Sequence, residues 1–297
     1  MPLSRRALLS TAALSVAGAA LTTPVAVARP STRGAVRHVP LHGAVNVRDL
    51  GGCRTYDGES VRYGRAFRAD ELGKLTDADV SVLATLALTR VVDFRVPFEV
   101  ERNGPDRLPA GLTPLARPVS DLGLYAQLLQ IIGSKDPVKQ EEWLGGGRAE
   151  ELMRRIYRTF VTDPANRGQF AATLRDLAGA NRGPLLYHCT SGKDRTGWTS
   201  YLVLRAVGVP GTVAEQDYLL SNTYRAEADR KLREQVKALG LMQNPDLLIP
   251  VQEVRQNYLT AALDQASQDF GGLGGYLRSG LGLDAATLLG LRSRLVG

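Results

Sequence analysis

Ten consecutive residues, His188-Cys189-Thr190-Ser191-Gly192-Lys193-Asp194-Arg195-Thr196-Gly197, bring together a sulfur nucleophile, a small flexible turn, two cations, a carboxylate and hydroxyls. A Cys followed six positions later by Arg is a weak signal alone, because 37 of the 297 residues are Lys or Arg. Its setting makes it specific. The run Leu185-Leu186-Tyr187-His188 ahead of it reads as a buried strand, and Gly197 to Val207 after it reads as a helix. A loop from a strand end to a helix N-terminus can aim several backbone N–H groups at one point, and the helix end adds partial positive charge. That is a site for a tetrahedral oxyanion. The thiolate is the reactive form of cysteine and is favoured at helix N-termini beside cations, so the same field readies Cys189 without a dedicated base. Arg195 offers a planar fork for two oxygens and charge for an in-line displacement. The amides of Thr190, Ser191 and Gly192 line the anion, Lys193 adds a movable charge at the rim, and Thr196 can give its hydroxyl to the sulfur. The bland alternative is a buried Cys ahead of a surface Arg.

Expelling an alkoxide or phenoxide from phosphorus is helped by a proton donor. Asp194, Asp121 and Asp93 are the candidates. Each has a structural reading as well: Asp194 orients the loop, Asp93 braces Arg195, and Asp121 caps a helix. His188 reads as a loop-shaping hydrogen-bond partner rather than a proton shuttle. Cys53 is either a small buried hydrophobe or a disulfide partner for Cys189 under oxidation. His38 and His42 read as surface or turn residues. Arg154, Arg155 and Arg158 are either a solvated helix face or a contact for acidic lipid headgroups.

The elements that must hold this loop read as α/β, with a mainly parallel central sheet flanked by helices. Arg65 to Ala69 alternates like a short strand, Arg90 to Arg95 is a buried strand, and Thr113 to Pro118 is a weaker one. Thr76 starts a helix with Asp79 as its capping-box partner. From about 121 to 163, helical patterns are broken by Gly133, Pro137 and Gly145-Gly146-Gly147. This helical insertion is either a mobile lid or an ordinary excursion. Pro164 sits in the first turn of the next helix, whose stripe is Phe170, Leu174 and Leu177. Beyond Gly211 the chain reads as almost wholly helical.

The first 28 residues stand apart. Arg5-Arg6 precede an uncharged stretch from Ala7 that ends Ala26-Val27-Ala28, the pattern of a cleavable twin-arginine export signal. The expected product is a secreted or extracytoplasmic catalytic domain over residues 29–297, opening with a short tether, Arg29 to Gly34.

The loop resembles the phosphate loop of the Cys-dependent protein tyrosine phosphatase superfamily. Lys193-Asp194 within it resembles the secreted bacterial tyrosine/serine phosphatases that also act on phosphoinositides. The likeness extends to Asn46-Val47-Arg48-Asp49-Leu50-Gly51-Gly52, to Val92-Asp93-Phe94-Arg95 with Glu99, and to Asp217-Tyr218-Leu219-Leu220-Ser221-Asn222. Ser191 stands where Ala is usual. The resemblance implies a phosphocysteine on Cys189, phosphate held by the loop and Arg195, and an acid at Asp194. It implies hydrolysis of phosphotyrosine, with phosphoserine or phosphothreonine beside it. Phosphoinositides and inositol polyphosphates are the alternative substrates, and a phospho-group binding module without turnover is the non-enzymatic one.

Composition sets the outer limits. A hydrophobic fraction of 44% and a charged fraction of 23% exclude a disordered chain. Two Cys and three His cannot build a Cys-rich zinc module; neither metal nor cofactor is expected. The net charge of +7 favours anionic partners, a phosphorylated protein or a phospholipid headgroup with peripheral membrane contact. No aromatic-interleaved basic stripe points to nucleic acid.

Overall fold

A computed structural model describes residues 37–179 and 183–297; the export signal and the tether lie outside these residues. Among these residues, five strands form one sheet in the order β1-β2-β5-β3-β4. They are β1 (Arg48–Asp49), β2 (Ala66–Ala69), β3 (Arg90–Asp93), β4 (Pro114–Ala116) and β5 (Leu185–His188). β1 runs antiparallel to β2 at one edge, and every other neighbouring pair is parallel. The sheet is therefore mainly parallel, as the strand–helix alternation predicts. β5 is buried along its whole length, as its unbroken apolar run requires of a central strand covered on both faces.

Side chains alternate across the pleat. Val92, Phe94, Leu185 and Tyr187 join the larger core, with Phe160, Phe170, Trp198 and Leu202. Val91, Leu186 and Phe67 face a smaller one, with Leu75 and Leu83. Register sets Ala69 and Asp93 on either side of His188, and Ala116 beyond Asp93. The parallel strands thus end at one level, and the Cys189 loop leaves the middle of that edge, where open α/β sheets bind ligands.

Among the described residues, ten helices position the rest: α1 (Asp77–Thr85), α2 (Pro97–Asn103), α3 (Leu124–Ser134), α4 (Pro137–Leu144), α5 (Arg148–Thr162), α6 (Pro164–Ala178), α7 (Arg195–Ala206), α8 (Gly211–Ala238), α9 (Gln256–Phe270) and α10 (Ala285–Leu295). Shorter helical turns at 245–252 and 273–280 complete the C-terminal part. Thr76 and Asp79 make the expected reciprocal capping box on α1. Asp163 caps α6 ahead of Pro164. The insertion divides physically. α5 buries Met153, Ile156, Tyr157, Phe160 and Val161 and packs against α9, so it belongs to the core. α3 and α4 bury only two residues each, which narrows the lid expectation to them. Among the described residues, no helix is long and apolar enough to cross a membrane.

Candidate active site

The loop owes its shape to what holds its carbonyls. Thr190 O accepts from the Glu71 amide at 3.1 Å. Ser191 O accepts from Asn46 Nδ2 at 3.1 Å and from Arg225 at 3.4 Å. Gly192 O accepts from Asn46 Nδ2 at 3.0 Å and Arg68 at 2.8 Å. In a trans peptide the following N–H points opposite its carbonyl. Drawing three carbonyls back into the protein therefore turns the amides of Ser191, Gly192 and Lys193 outward. None of the amides of residues 190–194 has an acceptor among the described residues. Gly192 is required twice over: its φ is +64°, and a Cβ there would lie 2.4 Å from Ala69 O.

Asn46 can serve two carbonyls because its own amide is fixed. Arg48 donates to its Oδ1 at 2.5 Å, which turns the NH2 toward the loop, and its backbone N–H bonds Asp70. Arg48 and Arg68 are fully buried and converge on Asp217, joined by the partly exposed Arg37. Both buried arginines also reach Ser221 Oγ at 3.2 Å. Asp217 is buried too, which alone would raise its pKa, but the three guanidinium groups hold it far below the usual carboxylate range. Arg48 is pushed down to about 10, by burial first and then by the charge of Arg68. One carboxylate among three guanidinium groups leaves a positive excess behind the loop, where it favours an anion in front. Arg225 adds another cation, paired with Asp229 at 2.7 Å and near Asp70 at 3.6 Å; burial opposes its charge, but these carboxylates hold its pKa above the ordinary arginine value.

Arg195 is held by Glu99. The two guanidinium nitrogens meet the two carboxylate oxygens at 2.6 Å each, a bidentate pair in which Glu99 is fully buried. Thr190 Oγ1 also donates to Glu99 at 2.5 Å, and the Val96 amide does so at 2.8 Å. Burial alone would raise the Glu99 carboxyl, but Arg195 outweighs it and holds it below its ordinary value. Arg195 itself lies well above the ordinary arginine value: burial opposes this, while Glu99, then Cys189 and Asp121, supply the negative charge.

The bracing role read for Asp93 is thereby corrected. Asp93 lies at the end of β3 and bonds Arg95 through both oxygens, the closest contact being 2.9 Å. Glu99, one helical turn into α2, faces Arg195 instead. Arg95 also pairs with Asp106 at 2.7 Å, and Asp106 bonds His188 Nε2 at 2.8 Å. Burial would lower the pKa of His188, but the Asp106 hydrogen bond and the charges of Asp106 and Asp93 raise it above the ordinary value. His188 thus sits in a charged hydrogen-bond network, as expected of a loop-shaping residue. Ligand atoms of Asp93, Asp106 and His188 lie within 4.8 Å of one another, but Arg95 already occupies both carboxylates.

Asp121 accepts from the amides of Gly123 and Tyr125, each at 2.9 Å, so its carboxylate serves the start of α3. Asp194 differs. Its oxygens accept from Tyr157 Oη at 3.0 Å and Lys193 Nζ at 2.7 Å, and its side chain is 18% exposed. Lys193 is not the movable rim cation expected from its place in the loop. Its side chain is only 3% exposed and lies between Asp194 and the Glu253 carbonyl. Thr196 Oγ1 is buried without a hydrogen-bond partner among the described residues, leaving it free to serve a sulfur or phosphoryl oxygen. Cys53 and Cys189 are both buried and both free; Cys53 borders a separate cavity of about 460 Å³ with Arg37, Gln216 and Asp217. Arg154 and Arg158 pair with Glu150 and Glu151, the solvated-face reading of that cluster.

Glu99 and the segments around Asn46 and Asp217 were visible only through the family resemblance. Arg68, Asp106, Tyr157 and Arg225 carried no local signal, since their roles arise from long-range contacts.

A buried free Cys, outward-turned amides and a braced Arg on the carboxyl edge of a mainly parallel sheet are the features of a Cys-dependent phosphatase. The profile of the tyrosine phosphatase family matches residues 39–297, and the chain belongs to that family. It is similar to the triple specificity protein phosphatase PtpB of Mycobacterium tuberculosis, 34% identical over 286 residues, covering 89% of this chain and all of the relative. It is also similar to a protein of Cupriavidus necator assigned as a tyrosine-protein phosphatase, 32% identical over 248 residues, or 82% of this chain and 84% of that one. A tyrosine-protein phosphatase of Nostoc commune is 30% identical over 161 residues, covering 53% of this chain and 48% of the relative.

Proposed function

We propose that the protein hydrolyses phosphotyrosine monoesters in two steps on the Cys189 loop, outside the cytoplasm after export. In the first step the Cys189 thiolate attacks phosphorus, the P–O bond breaks, and the leaving oxygen takes a proton from Asp194. The loop amides and Arg195 hold the three non-bridging oxygens. In the second step water attacks the phosphocysteine, Asp194 takes its proton, and phosphate leaves as the thiolate is restored.

The observation that carries this reading is the Arg195–Glu99 pair beside a row of unpaired amides. The fork is preset in the plane needed for two phosphoryl oxygens, so little ordering remains at binding. Phosphotyrosine comes before phosphoinositides because Lys193, the cation that suggested headgroup binding, is buried in its own ion pair. The relative named for triple specificity makes phosphoserine and phosphothreonine peptides the natural second arm of a substrate panel. Export rests on Arg5-Arg6 and the stretch ending at Ala28; a reporter fused behind residue 28 should be exported, and an Arg5→Lys, Arg6→Lys pair should retain it in the cytoplasm.

Cys189→Ser is the deciding variant. It should lose turnover of a phosphotyrosine peptide while tungstate still raises its melting temperature. Retained turnover would refute the nucleophile; loss of tungstate stabilisation would refute the preformed anion site.

A further inference from the structure

Asp194 stands at the N-cap of α7, yet its side chain makes no cap hydrogen bond. Asp is among the best N-cap residues, and the bond it forgoes is one that ordinarily stabilises a helix. The carboxylate is turned instead onto Tyr157 and Lys193. This leaves the first amides of α7 to an incoming anion, which a capping carboxylate would repel.

Tyr157 comes from α5, 37 residues earlier in the chain, and is fully buried. Its hydroxyl gives its proton to Asp194 Oδ1 and accepts at 2.8 Å from Tyr218 Oη, on α8. Tyr218 is fully buried as well, and its ring meets that of Tyr157 edge-on at 6.2 Å. Burial first, and then the charge of Asp194, pushes both hydroxyls far above the ordinary tyrosine value, so both remain O–H donors at neutral pH. A phenol is rigid about its ring, and a second phenol behind it fixes which way its O–H points.

We propose that Tyr157, oriented by Tyr218, is a positioning residue for Asp194: it engages Oδ1 while Lys193 meets Oδ2, and together they set the plane in which the carboxyl group faces the leaving-group oxygen. This rests on the reading of Asp194 as the proton donor. The core position of α5 makes the device stiff. The carboxyl group is aimed from the hydrophobic core and needs no separate mobile acid loop. Tyr157 does not touch substrate, and its effect should appear only where the proton matters.

The test compares single-turnover rates on phenyl phosphate, whose leaving group needs protonation, and p-nitrophenyl phosphate, whose leaving group needs it less. Tyr157→Phe should slow phenyl phosphate about ten-fold, with less than about three-fold on the nitro ester and KM within about two-fold, the scale of one hydrogen bond to a charged group. Tyr218→Phe should show the same pattern at smaller size. In an Asp194→Asn background, Tyr157→Phe should add nothing, because its effect passes through that carboxylate. Melting temperatures identify any variant that has lost its fold, and Tyr218→Phe then carries the test. Equal losses on both esters, no loss, or full additivity with Asp194→Asn would overturn the inference while the phosphatase reading stands. If Asp194→Asn itself costs both esters equally, the proton-donor reading falls and this inference falls with it.

Discussion

Replacing Glu99 by Gln isolates what makes Arg195 useful. The Glu99 carboxylate receives four hydrogen bonds: two from Arg195, one from Thr190 and one from Val96. They divide evenly between its oxygens, so an amide nitrogen on either side faces two donors with no lone pair to offer. One bond to Arg195 is lost whichever way the amide turns, and the buried guanidinium loses its counter-charge. Breaking a buried ion pair by removing one partner costs about 3–5 kcal/mol. For a domain of this size that corresponds to a melting temperature lower by roughly 6–20 °C. The loosened fork should also cost about 30- to 100-fold in kcat/KM, some 2–3 kcal/mol of transition-state stabilisation. Saturating tungstate should narrow the gap in melting temperature, because a bound dianion gives Arg195 a new partner. Calorimetric scans with and without tungstate, alongside steady-state kinetics, read all three quantities. A variant within about 1 °C and two-fold of wild type would show that the Phe94 and Val119 carbonyls, which Arg195 also touches at 3.3 and 3.4 Å, suffice to orient it, and the bracing argument would fail.

Asp217→Asn removes the one carboxylate among Arg37, Arg48 and Arg68, and should cost about 3–5 kcal/mol in denaturant unfolding. The depressed pKa of Asp217 gives wild type a stability contribution that is present above the unfolded value near 3.9 and lost as pH falls through the folded one; Asp217→Asn should lack that acid limb, and an unchanged limb would assign it elsewhere. His188 works with the opposite sign: its raised pKa contributes stability that is complete below about pH 6.5 and lost as pH rises through the folded value. Asp106→Asn removes the main cause of that shift and should flatten the decline above about pH 6.5. A decline of undiminished slope would exclude the Asp106–His188 bond as its source.

Much of the catalytic loop was legible because its parts are neighbours in the chain. A strand, five loop residues and a helix start specify their own geometry, so the spacing of Cys189 and Arg195 is meaningful before any fold is known. Gly192 belongs to the same class, since its left-handed φ is a local demand. Capping at Thr76, Pro164 in the first turn of α6, the breaks at Pro137 and at residues 145–147, and the apolar runs of β3 and β5 are likewise short-range, and the helices and strands follow them. Even so, local reading has a limit. Asp194 has the residue type and place of a cap, but the fold directs its carboxylate elsewhere.

Tertiary structure decided which charges meet. Glu99 is 96 residues from Arg195, and Asp217 is 149 residues from Arg68. The chain has 67 Lys, Arg, Asp and Glu residues, too many candidate partners for spacing to choose among. Burial makes the choice, because a charge removed from water is tolerated only where an opposite charge and hydrogen bonds are already in place. The same rule took Lys193 from the rim into an ion pair, gave Arg195 to Glu99 rather than Asp93, and placed two tyrosines behind Asp194. The amino-acid order determined a loop that carries a cysteine, an arginine and a carboxylate between a strand and a helix; the packed fold determined how Arg195 and Asp194 are aimed.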